Sequence, residues 1–142
     1  MSSSLKQTLA IIKPTAVTQR HTGDIIACIE KEGFRLKVLK MTEMSVKDGK
    51  SFYAEHAERH FFEELYQYIS SGKVVVMVLE KENAIADFRK LIGATDPKQA
   101  LAGTIRNKFG MDTSDNAIHG SDSPESAARE ISFFFPSREV AG

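Results

Sequence analysis

The stretch Val74-Val75-Val76-Met77-Val78-Leu79 predicts the central strand of the fold, because it is apolar, unbroken and rich in β-branched residues. Since it shows no alternation of polar and apolar residues, we expect it to be buried on both faces of a sheet. A second apolar run, Thr8-Leu9-Ala10-Ile11-Ile12-Lys13, ends at Pro14 and predicts another central strand. Lys13 stands at the carboxyl end of that strand, either as a functional residue or as a solvated lysine.

Between these two strands the hydrophobic period changes. Residues 23–33 place Ile25 and Ile29 at helical spacing and end at Gly33, a typical residue just after a helix. Residues 35–41 alternate polar and apolar side chains, which predicts a strand with one face in water. Such alternation favours an antiparallel sheet.

Further helices and a long connection complete the predicted order of elements. The periodicity predicts helices over residues 46–57, 61–69, 83–92 and 123–131. Residues 94–116 lose regular periodicity and predict a long loop, a feature that is usually functional in a compact domain. The order of elements predicts an α+β fold: a ferredoxin-like antiparallel four-stranded sheet (βαββαβ) with covering helices and a long inserted loop.

Length and charge limit the class of protein. With 142 residues, the chain is expected to form a single domain, residues 1–142, with its own core. Lys and Arg number 19, as do Asp and Glu, so the net charge of zero gives no case for bulk binding to nucleic acid or membranes. Any anion site must therefore be local. The single Cys28 excludes an intrachain disulfide and is expected, with Phe133-Phe134-Phe135, to fill the core.

Two features bear on location. No apolar stretch reaches the roughly 18 residues of a membrane span. The N-terminal segment Met1-Ser2-Ser3-Ser4-Leu5-Lys6-Gln7 lacks the apolar centre of a signal peptide. We therefore expect a soluble, cytoplasmic protein with no membrane partner.

The stretch Asn116-Ala117-Ile118-His119-Gly120-Ser121-Asp122-Ser123-Pro124-Glu125 brings a histidine to a glycine turn just before a predicted helix. Asp122 or Ser123 can cap that helix, and Pro124 suits its first turn. Backbone N–H groups at the helix start, beside an imidazole, favour an anion site. Neutral imidazole is a nucleophile near pH 7, so His119 is a candidate phosphoryl acceptor. The alternative is a buried histidine that closes a strand.

Cations suited to phosphate complete the candidate chemistry. Phosphoryl transfer needs positive charge and hydrogen-bond donors around the transferred group. The chain offers Lys13, Arg59, Arg89 and Arg106, although each arginine taken singly is more readily a surface side chain. The sequence contains no Walker-type phosphate loop, no protein-kinase catalytic loop, no G-x-S-x-G and no H-E-x-x-H. These absences exclude several common enzyme classes.

Several motifs in register resemble the nucleoside diphosphate kinase family. They are Ala10-Ile11-Ile12-Lys13-Pro14, Phe52-Tyr53-Ala54-Glu55-His56, Gly93-Ala94-Thr95-Asp96-Pro97, Gly103-Thr104-Ile105-Arg106, Asn116-Ala117-Ile118-His119-Gly120-Ser121-Asp122-Ser123 and Ser126-Ala127-Ala128-Arg129-Glu130-Ile131. The histidine motif is the most specific of them. The resemblance runs in order from about residue 8 to residue 135, nearly the whole chain.

The resemblance implies an enzyme that transfers the γ-phosphoryl group of a nucleoside triphosphate, mainly ATP, to nucleoside diphosphates. The implied mechanism is ping-pong, and the reaction maintains nucleoside triphosphate pools. His119 matches the histidine that the family phosphorylates transiently, and Ser121 and Glu130 match residues that support its ring. Phe61 matches the aromatic residue on which the base stacks. The positions that match phosphate- and sugar-binding residues are Lys13 (also catalytic), Tyr53, Arg89, Thr95, Arg106 and Asn116.

The resemblance also implies a cofactor and an assembly. Mg²⁺ is expected, held mainly by nucleotide phosphates and not directly by the protein. A homo-oligomer is expected, either a tetramer or a hexamer, with no nucleic acid required. The chain departs from the family pattern at Thr15, where an acidic or amide residue is usual, and at His60 and Ala102, where proline is common. Ala102 lies in a loop that contributes to subunit contacts in the family.

A second hypothesis is a non-catalytic ferredoxin-like module that binds nucleotides or a partner protein, with a structural His119. The fold alone does not decide between the two, because it hosts many functions. A degenerate relative would be expected to lose the histidine, the lysine or an arginine. This chain has Lys13, Arg89, Arg106 and His119, so the sequence favours the enzyme.

Overall fold

A computed structural model describes residues 6–140, an antiparallel sheet covered by helices. Residues 1–5, most of the predicted polar N-terminal segment, lie outside the described residues, as do residues 141–142. No helix in the described range is long and apolar enough to cross a membrane. The strands are β1 (Lys6–Ile12), β2 (Arg35–Glu43), β3 (Lys73–Lys81) and β4 (Ile118–Gly120). The helices are α1 (Pro14–Thr18), α2 (Thr22–Lys31), α3 (Val46–Phe52), α4 (Phe62–Ile69), α5 (Ala84–Ile92), α6 (Ile105–Phe109), α7 (Pro124–Phe134) and α8 (Ser137–Val140).

The strands form one sheet in the order β2-β3-β1-β4, and every neighbouring pair is antiparallel. The two apolar runs, β1 and β3, are therefore central and pair with each other, with Leu9 opposite Val78. The predicted ferredoxin-like α+β arrangement is confirmed. Its edges are β2 on one side and the short β4, which carries His119, on the other.

Both faces of the sheet carry a hydrophobic core, because successive side chains of a strand point to opposite faces. On one face Ile12 and Met77 belong to a cluster with residues of α2 and α5. On the other face Ile11 and Val76 belong to a cluster with residues of α3, α4 and α7. Every residue from Val74 to Leu79 is buried, as the missing alternation predicts.

The short helices that escape prediction include α1 and α6, and one predicted helix ends early. The segment after β1 forms α1, for which Pro14 is a suitable first residue. The predicted loop 94–116 contains α6, which follows the capping residue Thr104. Each of these helices has 5 residues, too few to show a hydrophobic period. The helix predicted over 46–57 ends at Phe52, and a 3-10 turn, Ala54–His56, follows.

The expected core residues near the C-terminus divide into two groups. Phe134 and Phe135 are buried, but Phe133 is 40% exposed, since adjacent helical residues point in different directions.

Cys28 is half-buried and packs against the core on the α2 side of the sheet. Its sulfur lies 3.4 Å from the ammonium of Lys108.

Candidate active site

A strained turn leads into β4 and lies beside the end of β1. The Lys13 amide donates a hydrogen bond to the Ala117 carbonyl at 2.8 Å, just beyond the pairing of β1 with β4. Ala117 has φ of 77°, and the Ile118 amide donates to the Asn116 carbonyl at 3.0 Å, which makes a γ-turn of the rare, strained kind. Such strain costs on the order of 1–3 kcal/mol and persists where the surroundings enforce it, commonly at functional sites.

The ring of His119 is held by one hydrogen bond and one ring contact. Its Nε2 lies 2.9 Å from Glu130 Oε1, and its ring meets Phe52 edge-on with centroids 5.3 Å apart. The histidine side chain remains 17% exposed, so a ligand can reach it. The next residue, Gly120, allows β4 to approach α5, because a Cβ there would lie 2.8 Å from the ring of Phe88.

A chain of hydrogen bonds fixes the carboxylate that faces His119. The Leu9 amide donates to Ser121 Oγ at 3.1 Å, and the Ser121 hydroxyl donates to Glu130 Oε1 at 2.8 Å. Burial by itself raises the pKa of Glu130. The hydrogen bond from His119, the charge of His119 and the hydrogen bond from the Ser121 hydroxyl together outweigh burial, so the pKa of Glu130 is lowered overall. Glu130 is therefore an ionised acceptor, which favours a proton on the Nε2 of His119.

Lys13 is buried, with only 4% of its surface exposed. Its ammonium donates to Asn116 Oδ1 at 2.8 Å and to the Ser114 carbonyl at 3.4 Å. Burial, with the nearby Arg106 as a second cause, lowers the pKa of Lys13 to about 7. The alternative of a solvated lysine at the strand end is therefore wrong.

Arg106 brings a second buried cation into the same region. Its guanidinium donates to the Gly93 carbonyl at 3.0 Å and to the Ile118 carbonyl at 2.9 Å. Its Nε is buried without a hydrogen-bond partner among residues 6–140. Burial first, and Arg89 second, lower its pKa to about 10, so it stays charged at neutral pH. A buried donor without a partner is costly, and a bound acceptor would remove that cost.

A single cleft of about 280 Å³ collects most of the predicted site residues. Those that line it are Lys13, Tyr53, Phe61, Arg89, Thr95, Arg106, Asn116, His119 and Glu130. Ser121 lies behind the cleft, buried beneath Glu130. Arg59, the other cation noted in the sequence, does not line it. The cleft therefore holds three cations, Lys13, Arg89 and Arg106, together with the histidine.

Two aromatic residues lie on one wall of the cleft. Tyr53 is buried at the end of α3, and burial first and Glu130 second raise the pKa of its hydroxyl. Phe61 is half-buried just before α4, with its ring centroid 5.8 Å from that of His56 and 5.3 Å from that of His60. Tyr53 therefore stays neutral, and Phe61 offers an aromatic surface.

The start of α7 differs from the expected anion site. Ser123 is the capping residue, and its side chain accepts a hydrogen bond from the Ser126 amide at 3.0 Å. The Ser126 hydroxyl donates to Asp122 Oδ1 at 2.8 Å, so a carboxylate already stands at this helix end. The cations Lys13 and Arg106 are consequently the stronger anion-binding groups.

One ion pair at the cleft joins two residues that lie in the sequence motifs but are assigned no role there. Arg129 on α7 donates to Glu55 Oε1 at 2.7 Å and lies 3.6 Å from Glu130 Oε2. Glu55 is in the 3-10 turn after α3, so the pair ties that turn to α7. Since the partners are 74 residues apart, no local spacing could indicate the contact.

Comparison with known proteins decides which family carries this arrangement. The family model described as nucleoside diphosphate kinase matches residues 6–140. The chain belongs to the nucleoside diphosphate kinase family. It is 53% identical over 136 residues to the nucleoside diphosphate kinase of Chlamydia trachomatis serovar L2, a match that covers 96% of each chain. The protein of the same name from Chlamydia abortus is 52% identical over the same length.

Solved structures agree in fold over nearly the whole chain. The crystal structure of the Aquifex aeolicus nucleoside diphosphate kinase is 45% identical, covers 96% of this chain and 99% of its own, and superposes with a TM-score of 0.94. That of Encephalitozoon cuniculi is 35% identical, covers 92% of this chain and 88% of its own, and gives a TM-score of 0.89. The ferredoxin-like sheet and its covering helices are thus those of nucleoside diphosphate kinases.

The nucleoside diphosphate kinase family uses a divalent cation. Among residues 6–140, no three His, Cys, Asp or Glu side chains lie together as a metal site. The carboxylates of the cleft already have partners: Glu130 bonds His119, Glu55 bonds Arg129, and Asp122 bonds Ser126. These residues fit a cation that arrives bound to its substrate better than a cation held in a protein cage.

Proposed function

We propose that His119 accepts the γ-phosphoryl group in this enzyme, a nucleoside diphosphate kinase that transfers it from a nucleoside triphosphate to a nucleoside diphosphate. The observation that carries the proposal is the bond between His119 Nε2 and the Glu130 carboxylate. A proton on Nε2 leaves the lone pair on Nδ1, which has no hydrogen bond among residues 6–140. Nδ1 is therefore the nitrogen that we assign as the nucleophile.

The proposed reaction has two half-reactions in one cleft. The Nδ1 lone pair forms a bond to the γ-phosphorus while the bond from that phosphorus to its bridging oxygen breaks, and the nucleoside diphosphate leaves. An acceptor diphosphate then occupies the same place, and its terminal oxygen takes the phosphoryl group from Nδ1. Throughout, Glu130 stabilises the positive charge that develops on the ring. A ping-pong mechanism follows, with ATP as the main donor.

The other proposed roles follow from charge and shape. Lys13, Arg89 and Arg106 bind phosphate oxygens, supported by the partnerless Nε of Arg106. Phe61 stacks on the base, a contact that tolerates every base and suits a broad range of nucleosides. The polar cleft residues proposed to meet phosphate or sugar oxygens are Tyr53, Thr95 and Asn116.

We assign Mg²⁺ as the divalent cation, held by nucleotide phosphates. Bound there, it neutralises part of the phosphate charge. The protein side of this arrangement consists of the cations Lys13, Arg89 and Arg106, which meet the remaining phosphate charge.

We further propose a homo-oligomer, a tetramer or a hexamer, in which residues 1–142 form one domain. Support comes from β2, an edge strand on which Leu39 is 48% and Met41 is 53% exposed. Exposed apolar side chains on an edge strand are commonly covered by a partner. Light scattering should give four or six times the chain mass of 15.8 kDa, and a mass equal to one chain would contradict this assembly. A cytoplasmic location, with no nucleic acid required, stays a prediction from the sequence.

The experiment that tests the reaction is labelling without an acceptor. The purified protein, incubated with Mg²⁺ and ATP labelled in the γ-phosphoryl group, should carry an acid-labile adduct on His119. Addition of GDP should discharge that adduct and give labelled GTP. ATP that binds without forming an adduct would refute the proposed nucleophile.

The variant His119→Ala is the matching control. It should lose transfer activity by on the order of 10⁴-fold or more, because it lacks the covalent nucleophile, while ADP binding stays near wild type. The measurement is steady-state transfer from ATP to GDP, together with calorimetric binding of ADP. Transfer at a wild-type rate by the pure variant would move the phosphoryl acceptor to another residue.

A further inference from the structure

Tyr68 bridges two segments that are distant in sequence but adjacent at the lysine side of the cleft. Its hydroxyl donates to Asp115 Oδ1 at 2.6 Å and accepts from the Thr15 amide at 2.9 Å. Thr15 follows Lys13 by two residues, and Asp115 precedes Asn116, whose side chain bonds the Lys13 ammonium. One phenol therefore connects the backbone next to Lys13 with the carboxylate next to Asn116.

The loop that carries Asp115 is anchored at several points. The Asp112 carboxylate accepts from the amides of Ser114 and Asp115 at 3.0 and 2.8 Å. The Ser114 hydroxyl donates to Glu64 Oε1 at 2.7 Å. Glu64 and Tyr68 are one helical turn apart on α4, so that helix forms hydrogen bonds to the loop through two side chains. The loop thereby presents the Ser114 carbonyl to the Lys13 ammonium.

The charges around Lys13 oppose one another. Arg106, on α6, disfavours its ammonium, whereas the carboxylates of Asp115 and Asp112, on the anchored loop, favour it. Tyr68 faces it from α4 through Asp115. The other ionisable groups that line the same cleft are Tyr53, Glu55, His56, Arg89, His119, Asp122 and Glu130. Asp115 is therefore an anion that offsets the effect of Arg106 on the Lys13 ammonium, and the hydrogen bond from Tyr68 fixes its position.

We infer that Tyr68 and Asp115 are positioning residues that keep Lys13 protonated and aligned to receive the nucleotide phosphates, an inference that rests on the proposed function. Neither residue lines the cleft, so both act through Lys13 and its loop. A bound phosphate chain is itself an anion and stabilises the ammonium. The pair therefore matters most for the free enzyme, before the nucleotide has bound.

The test is the pH profile of kcat/KM for GDP, with ATP as donor, in the wild type and in Asp115→Asn. In a ping-pong reaction this ratio reports the ionisation of the phosphoenzyme before GDP has bound. Asp115→Asn keeps an oxygen for Tyr68 and removes the charge, so the alkaline limb should move to lower pH by about 0.5–1 unit. At pH 8 the ratio should fall about 3- to 10-fold, whereas kcat should change by less than about 2-fold.

Tyr68→Phe tests the alignment part of the inference. It leaves the Thr15 amide and the Asp115 carboxylate without their shared partner, and KM for GDP should rise about 3- to 10-fold with a smaller change in kcat. Tyr66→Phe is the matched control, because Tyr66 lies on α4, is also half-buried and has no hydroxyl hydrogen bond among residues 6–140. It should keep wild-type kinetics.

Two results would overturn the inference. The first is a profile of Asp115→Asn that is lowered equally at every pH, which marks a structural effect only. The second is equal loss in Tyr68→Phe and Tyr66→Phe. Calorimetry of ADP binding to His119→Ala separates this inference from the proposed function, because the binding of ADP alone involves no phosphoryl transfer. Its ADP affinity should fall at alkaline pH, and adding Asp115→Asn should shift the fall to lower pH even if another residue proves to be the nucleophile.

Discussion

Two groups of residues at the cleft balance the charge of their ionisable side chains in opposite ways. The histidine arm, His119 with Ser121 and Glu130, contains its own counter-charge: a carboxylate that accepts two hydrogen bonds. The lysine arm, Lys13 with Asn116, gives its buried ammonium neutral oxygens as hydrogen-bond acceptors. The histidine arm therefore has its counter-charge within the protein, whereas the lysine arm has an excess of positive charge.

This difference supports the proposal that the nucleotide phosphates bind at the lysine arm. An incompletely paired buried cation is unfavourable, and its charge is best satisfied by an arriving anion. Arg106 strengthens this imbalance, because it lies near Lys13 and has a buried Nε without a partner among residues 6–140. In the proposed mechanism the nucleophile is thus fixed in advance, whereas the cations that are proposed to bind phosphate gain their counter-charge only when phosphate binds.

Among the variants that test this comparison, Lys13→Met should have the largest effect on kcat/KM. Loss of a charge-assisted hydrogen bond to phosphate, worth about 3 kcal/mol, should lower kcat/KM about 10²-fold. The loss should be similar for ADP, GDP and CDP, because Lys13 is assigned to phosphates and not to bases. The measurement is kcat/KM for each acceptor, and a loss that depends on the base would contradict the assignment.

The same variant should be more stable than the wild type, and by an amount that depends on pH. Because the pKa of Lys13 is lowered from 10.5 to about 7 on folding, the unfolded chain binds more protons between these values. Wild-type stability therefore rises with pH across that window, and the lysine costs most below pH 7. Urea unfolding at pH 6 should show Lys13→Met more stable by about 1–3 kcal/mol. At pH 9 the advantage should shrink by roughly 2 kcal/mol, and an unchanged difference would mean that the buried charge is not its cause.

The two arms also differ in how far the sequence could predict them. In the histidine arm, His119 is indicated by its own motif on the strand-to-helix turn. The supporting roles of Ser121 and of Glu130, which lies on the next helix, are implied only by the family resemblance. The fold could be predicted because its central strands, such as the run from Val74 to Leu79, are long and apolar.

The lysine arm could be predicted only as a set of residues, not as an arrangement. Lys13 and Asn116 are 103 residues apart, and their contact depends on the antiparallel pairing of β1 and β4. The positive φ of Ala117 occurs at a residue that seldom adopts it, so no propensity indicates it. The bridge through Tyr68 has no signal in the sequence, because its partners come from two other segments.

A smaller effect is expected from Glu130→Gln, which removes the negative charge of the histidine arm but keeps a hydrogen-bond acceptor for His119. A neutral amide oxygen can still accept from His119 Nε2, but the loss of charge weakens that bond by roughly 1.4 kcal/mol, or about tenfold in rate. The rate of phosphohistidine formation in rapid-quench experiments measures it. Since the pKa of Glu130 is lowered by folding, its contribution to stability is present above its ordinary pKa of 4.5 and is lost as the pH falls through the folded value. The variant should therefore lose less stability than the wild type between pH 6 and pH 3.

The smallest effect on rate should come from Ser121→Ala, where structure and catalysis can be separated. The Leu9 amide loses its acceptor and Glu130 loses one donor, so the free energy of unfolding should fall by about 1–3 kcal/mol. The transfer rate should fall only about 3-fold, because Glu130 keeps its bond to His119. Ser123→Ala is the matched control: it removes the cap of α7 at a cost of about 1 kcal/mol but no bond to Glu130. If both variants slow transfer equally, the loss reflects stability alone, and Ser121 does not act through the histidine arm.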